Sequence, residues 1–153
     1  MMATRKSAKI PAQYSKLSEE LKGDKSFCAV VAIAAITKVP AKQVQELLAQ
    51  CGRKLGCGTE DHQMSKALGL LGYKVTRDVQ IDKIVGSYPG RHWQLKNATT
   101  HHPRRFKAAW ANQPDMMIFT AEHVCAFVDG QLVDWTVKKS KRILYIWTLE
   151  KVV

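Results

Sequence analysis

The segments HVCAFV and QLVDWT, at residues 123–128 and 131–136, are rich in β-branched and aromatic side chains, and Asp129-Gly130 lies between them. A two-residue Asp-Gly connection is a tight-hairpin signal, because both loop positions need φ > 0. That fixes a register. Val128 faces Gln131, Phe127 faces Leu132, Ala126 faces Val133, Cys125 faces Asp134 and His123 faces Thr136. His123 and Asp134 then share one face as diagonal neighbours, with backbones about 7–8 Å apart. A slip of one residue would send Asp134 to the other face, so the expectation is sharp. An imidazole oriented by a carboxylate supplies two of the three members of a nucleophile-His-acid triad.

At 153 residues and 46% hydrophobic content the chain suits one compact domain and argues against disorder. Its longest apolar run, FCAVVAIAAI, is about half the length needed to span a bilayer, and no signal-peptide layout precedes it. We expect a soluble, cytoplasmic protein with no membrane partner. The four cysteines, Cys28, Cys51, Cys57 and Cys125, are expected as reduced thiols, since nothing marks secretion. Cys51 and Cys57 with His62 lack the short knuckle spacing of a structural zinc site, so no metal is expected.

The net charge of +11 is concentrated in TRKSAK, HHPRRFK and KKSKR. It points to nucleic acid or an acidic protein as partner, contacted through Arg104, Arg105, Lys107, Lys138, Lys139, Lys141 and Arg142. No zinc-finger spacing or RNP-like aromatic stretch accompanies the charge, and a solvated basic surface stands as the plainer reading.

Along the chain, residues 1–15 read as a basic flexible tail and 16–153 as a single domain. Gly23 ends a short first helix, and Asp24 and Ser26 offer capping oxygens for a second from about Phe27 to Thr37. Its Ala and Val residues leave almost no polar face after Cys28, so it must be buried. Pro40 opens the next helix, whose stripe of Val44, Leu47 and Leu48 stops at Cys51-Gly52. After the glycine-punctuated loop RKLGCGT, Thr59, Glu60 and Asp61 start a helix with Met64, Ala67, Leu68 and Leu71 as core, stopped by Gly72. KVTRDV is a short strand, and residues 80–98 carry no clear pattern. Thr99 or Thr100 caps a helix with Pro103 in its first turn and Phe106, Ala109 and Trp110 as its buried side. From Asp115 the period becomes two: MMIFT, HVCAFV, QLVDWT and RILYIWTL read as a meander of antiparallel strands. The expected fold is α+β, with helices from 16 to about 72 packed on a mostly antiparallel sheet at 116–149.

Of the four cysteines, Cys28 alone lies at the start of a buried helix. Unpaired N–H groups and the helix dipole there favour the thiolate, which is the reactive form. Cys28 as nucleophile, His123 as base and then acid, and Asp134 as the orienting group therefore make a coherent set. Taken singly each has a blander reading: a buried core cysteine, a strand-end histidine, a surface aspartate.

The arrangement resembles the papain-like cysteine peptidase superfamily, in which a helix-borne cysteine meets a histidine and an Asn or Asp on a following sheet. More narrowly, FCAVVAIAAITKVPAKQVQELLAQCGRKLGCGT followed by HVCAFVDGQLVDW looks like small phage and bacterial proteins related to bacteriocin leader peptidases, over about residues 26–136. The resemblance implies a papain-like fold with the cleft between helices and sheet, a peptide or protein substrate, no cofactor, and a place in the host cytoplasm or virion if phage-encoded. It carries the nucleophile to Cys28, the base to His123 and the third member to Asp134. Two positions depart from the pattern: Lys22 stands six residues before Cys28, where such enzymes place an oxyanion-binding Gln or Asn, and Glu122 replaces the Gly before the histidine. The backbone N–H of Cys28, with Ser26 or Gln13, is the substitute oxyanion donor set.

Overall fold

The computed structural model describes residues 28–54, 57–86, 88, 92–95, 110, 113–121, 123–133 and 142–152. They form an α+β structure. The helices are α1 (Cys28–Thr37), α2 (Ala41–Gln50), α3 (Asp61–Leu70) and the single turn α4 (Asp82–Val85). The strands are β1 (Tyr73–Val79), β2 (Met116–Thr120), β3 (His123–Val128), β4 (Gln131–Val133) and β5 (Tyr145–Lys151).

As its composition requires, α1 buries every residue from Ala29 to Ile36. It ends where Lys38 turns to φ 64° and donates its N–H to the Ala34 carbonyl at 2.9 Å. Pro40 takes the position just before α2 rather than its first turn, and α2 buries the Val44/Leu48 stripe. Glu60, not Thr59, precedes α3; its N–H is accepted by the Gln63 side chain at 2.8 Å, which relieves one of the helix-end donors.

The sheet is antiparallel throughout, in the order β1-β5-β2-β3-β4. This corrects the expected meander. Strands β2, β3 and β4 do follow one another through hairpins, but β5 returns to lie beside β2, the order of a Greek key. The reason is visible in burial. All five β2 residues are buried, and Ile146 and Trp147 of β5 are fully buried on opposite faces, so neither strand fits at an edge. β1 also joins the sheet, pairing with β5 and extending it beyond residues 116–149.

Each central strand splits its side chains between two apolar layers. Met117, Phe119, Val124, Ala126, Val128, Val133 and Trp147 pack with α1, α2 and α3. On the other face, Met116, Ile118, Cys125, Phe127, Leu132 and Ile146 pack with Ile81, Val85, Trp93, Leu95, Trp110 and Ile143. Residues 80–98, unreadable as periodicity, thus supply part of the second layer. The expected helix capped by Thr99 or Thr100 lies outside the described residues except for Trp110, which is buried as anticipated.

The Asp129-Gly130 turn has φ 53° and 78°, the left-handed pair a tight hairpin demands. Its register is Val128↔Gln131, Phe127↔Leu132 and Ala126↔Val133, as the sequence implied. Asp134 lies outside the described residues, so its orientation is not among the observations.

Candidate active site

Helix α1 lies along β3, start beside start. At the far end, Lys38 Nζ meets Asp129 Oδ2 at 3.2 Å, tying the end of α1 to the β3–β4 turn. At the near end, the Cys28 sulfur meets the start of β3, where it accepts hydrogen bonds from the His123 ring and from the backbone N–H groups of Val124 and Ala29.

The availability of the Val124 N–H follows from hairpin parity. Thr120 pairs with His123 across a two-residue turn, so His123 directs its backbone groups to β2 and Val124 directs its own the other way. The β3–β4 turn gives the same parity, since Val128 and Ala126 pair with Gln131 and Val133. Described β4 residues reach only as far as Val133 opposite Ala126, and the Val124 N–H points past that pair toward the thiol.

His123 occupies the same strand face as Cys125 and Phe127, which belong to the layer away from α1, whereas Cys28 packs against the layer that contains α1. The imidazole therefore reaches the sulfur from across the strand. The two groups meet at the start of β3.

Burial pushes the Cys28 thiol up. The hydrogen bond from His123 is the largest opposing influence, followed by the Val124 N–H, the charge on His123 and the Ala29 N–H, and together they hold the thiol below its ordinary value. Cys28 is half-buried, Cys57 exposed and Cys125 buried, with its sulfur 3.9 Å from the Ile118 carbonyl. All four cysteines are free thiols.

Other sequence-derived candidates divide cleanly. Gln13 and Ser26, and the basic residues Arg104, Arg105, Lys107, Lys138, Lys139 and Lys141, lie outside the described residues. Arg142 is described, exposed, and joined to Gln94 by an isolated antiparallel bridge. Among the described residues no group of three or more His, Cys, Asp or Glu side chains is gathered as a metal site, so Cys51, Cys57 and His62 do not assemble one. No helix among them is long and apolar enough to cross a membrane. No family model, curated protein or solved structure matches the chain.

Two features escaped the sequence. Arg53, in the GRKLGCGT loop, is 5% exposed, and that loop joins α2 to α3 through Gly52 at φ 106°. Thr120, opposite His123, is also 5% exposed, and its hydroxyl has no hydrogen-bond partner among the described residues. Neither has a compositional signal, since both burials depend on tertiary packing.

Proposed function

We propose that this protein is a papain-like thiol hydrolase of phage or bacterial origin that cleaves a peptide or other amide bond in the cytoplasm. The reading is carried by one observation: a half-buried cysteine at the start of the described helix, whose sulfur takes hydrogen bonds from an imidazole and two backbone N–H groups and is held below the ordinary thiol range.

In this reading the Cys28 thiolate attacks the substrate carbonyl carbon, and the resulting oxyanion is received by N–H donors that include that of Cys28. His123, protonated in the ion pair, gives its proton to the leaving amine as the C–N bond breaks, leaving a thioester on Cys28. Water then loses a proton to His123 and attacks the thioester, releasing the carboxylic acid and restoring the thiolate-imidazolium pair. Asp134 orients the imidazole. No cofactor takes part.

The test is to trap the intermediate with p-nitrophenyl acetate. An acetyl adduct on Cys28 that forms at neutral pH and then decays, is absent in Cys28→Ala and forms slowly in His123→Ala is the expected result. No adduct on the wild-type protein would contradict the hydrolase reading.

A second reading has its own support. The +11 charge, and the absence of any Gln or Asn between Tyr14 and Cys28, favour a scaffold that does not turn over and binds nucleic acid or an acidic protein. An adduct that never decays, together with salt-sensitive binding to a polyanion, is the signature of that reading.

A further inference from the structure

Beside the apolar layer that faces away from α1 lies a concavity of about 170 Å³. Ile81, Trp93 and Ile143 are its buried members, while Gln80, Asp82, His92 and Arg142 line it as exposed polar or charged residues.

Hydrogen bonds fix its frame. The Ile143 N–H donates to the Trp93 carbonyl at 2.8 Å, and the Trp93 indole N–H donates to the Gly86 carbonyl at 2.9 Å. The one side-chain donor of Trp93 is thereby engaged, so this residue offers the concavity ring surface rather than a hydrogen bond. Tyr88, half-buried, lies against it with ring centroids 4.7 Å apart. Arg142 is held to Gln94 by the isolated antiparallel bridge.

The charges here do not cancel in a pair. Asp82 and Arg142 have opposite signs and line the same space, yet neither forms an ion pair with the other or with any other described residue. A carboxylate only accepts hydrogen bonds and a guanidinium only donates them, while the Gln80 amide and a neutral His92 imidazole do both. The set suits a ligand with donors and acceptors side by side on one edge. A bare anion would be opposed by Asp82, and an apolar group would cut polar side chains off from water without replacing their hydrogen bonds.

Ring surface beside such a mixed polar edge matches a nucleobase, which stacks through its face and is read along its edge. The charge of the chain favours bringing one there: at +11 it attracts polyanions, and Arg142 is the last residue of the basic run KKSKR.

We propose that this concavity binds an unpaired base of single-stranded nucleic acid. Tyr88 and Trp93 supply ring contact, Asp82 accepts from an exocyclic amino group, and Arg142 donates to a neighbouring acceptor on the base. Cytosine carries such an amino group and thymine has none, so Asp82 distinguishes them. The proposal rests on the second reading above, the polyanion-binding one, whose ligand it names, and it does not require Cys28 to turn over.

The test is fluorescence anisotropy of the full chain with labelled single-stranded oligomers of deoxycytidine and of thymidine, matched in length and salt, beside Asp82→Ala and Arg142→Gln. Expected is binding of the cytosine oligomer about fivefold or more tighter than the thymine oligomer, a difference lost in Asp82→Ala, with cytosine binding weakened about fivefold or more in Arg142→Gln. Asp82 and Arg142 are exposed, so both changes spare the core. The pH profile of Cys28 alkylation should match the wild type in each, which also checks that the fold is kept. The wild-type comparison of the two oligomers needs no variant. Equal affinity for them, or a cytosine preference that survives Asp82→Ala, overturns the pocket and leaves a basic surface indifferent to base. Absence of binding to either oligomer at low salt overturns the pocket and the nucleic-acid reading together, leaving an acidic protein as the polyanion; neither result bears on Cys28.

Discussion

The two apolar layers on either side of the sheet are built from opposite materials. Against α1 the strands meet a helix of Ala, Val and Ile with no polar face, where backbone and sheet approach closely. On the far side they meet Trp93 and Trp110, with Trp110 5.4 Å from Phe127 and 5.9 Å from Trp93. One layer gains density from small side chains at fixed helical positions; the other gains area from large rings whose placement depends on a few hydrogen bonds. The candidate site draws on both, with Cys28 packed against the first and His123 on the strand face of the second.

If the layers differ in this way, they fail differently. Removing a ring from the second should leave a cavity. Phe127→Ala, at a residue 1% exposed, is expected to cost about 3–5 kcal/mol in urea unfolding. A cost no larger than that of an ordinary surface change would mean the aromatic layer is loosely held. The first layer should resist enlargement instead. Ala34→Leu, with no exposed surface at that position, is expected to cost about 1–3 kcal/mol through overpacking against β3. Should it prove neutral, α1 is not closely seated.

The residue opposite His123 gives a smaller effect of opposite sign. Thr120 carries a buried hydroxyl with no partner among the described residues, and Thr120→Val removes that atom while keeping its shape, so stability in thermal unfolding should rise by about 1 kcal/mol. A fall in stability would show that the hydroxyl has a partner in solution. Smallest is Lys38→Ala: the pair with Asp129 is exposed on both sides, and the change is expected to stay within about 0.5 kcal/mol.

The first layer was legible because its signals are local. An all-apolar run longer than a strand, ended before Pro40, has few solutions, and Asp129-Gly130 sets the β3–β4 register without reference to anything distant. Cys28 and His123 could be named together because helix start and strand start are both local features. The return of β5 to β2 was hidden because alternation marks a strand without naming its neighbours. Ile84, Gly86 and Trp93 were hidden for a different reason: Trp93 to Gly86, Ile143 to Trp93 and Gln113 to Ile84 are single bonds that leave no period. The Val124 N–H was within reach, since two hairpins of known parity determine which way it points.

The claim at the centre is that His123 holds the Cys28 thiol below its ordinary range against the effect of burial. It is tested most directly by the rate of Cys28 alkylation with iodoacetamide as a function of pH, in the wild type and in His123→Ala, with adducts located by mass spectrometry. Because the lowered thiol stays ionised as pH falls, the wild type should alkylate at Cys28 at lower pH than an ordinary thiol, losing reactivity only as pH drops through the lowered value. With His123 removed, burial regains weight against the two remaining N–H donors and the profile should shift toward higher pH. Superimposable profiles, or a Cys28 inert in both proteins, would contradict the ion pair and leave the basic surface as the feature to explain.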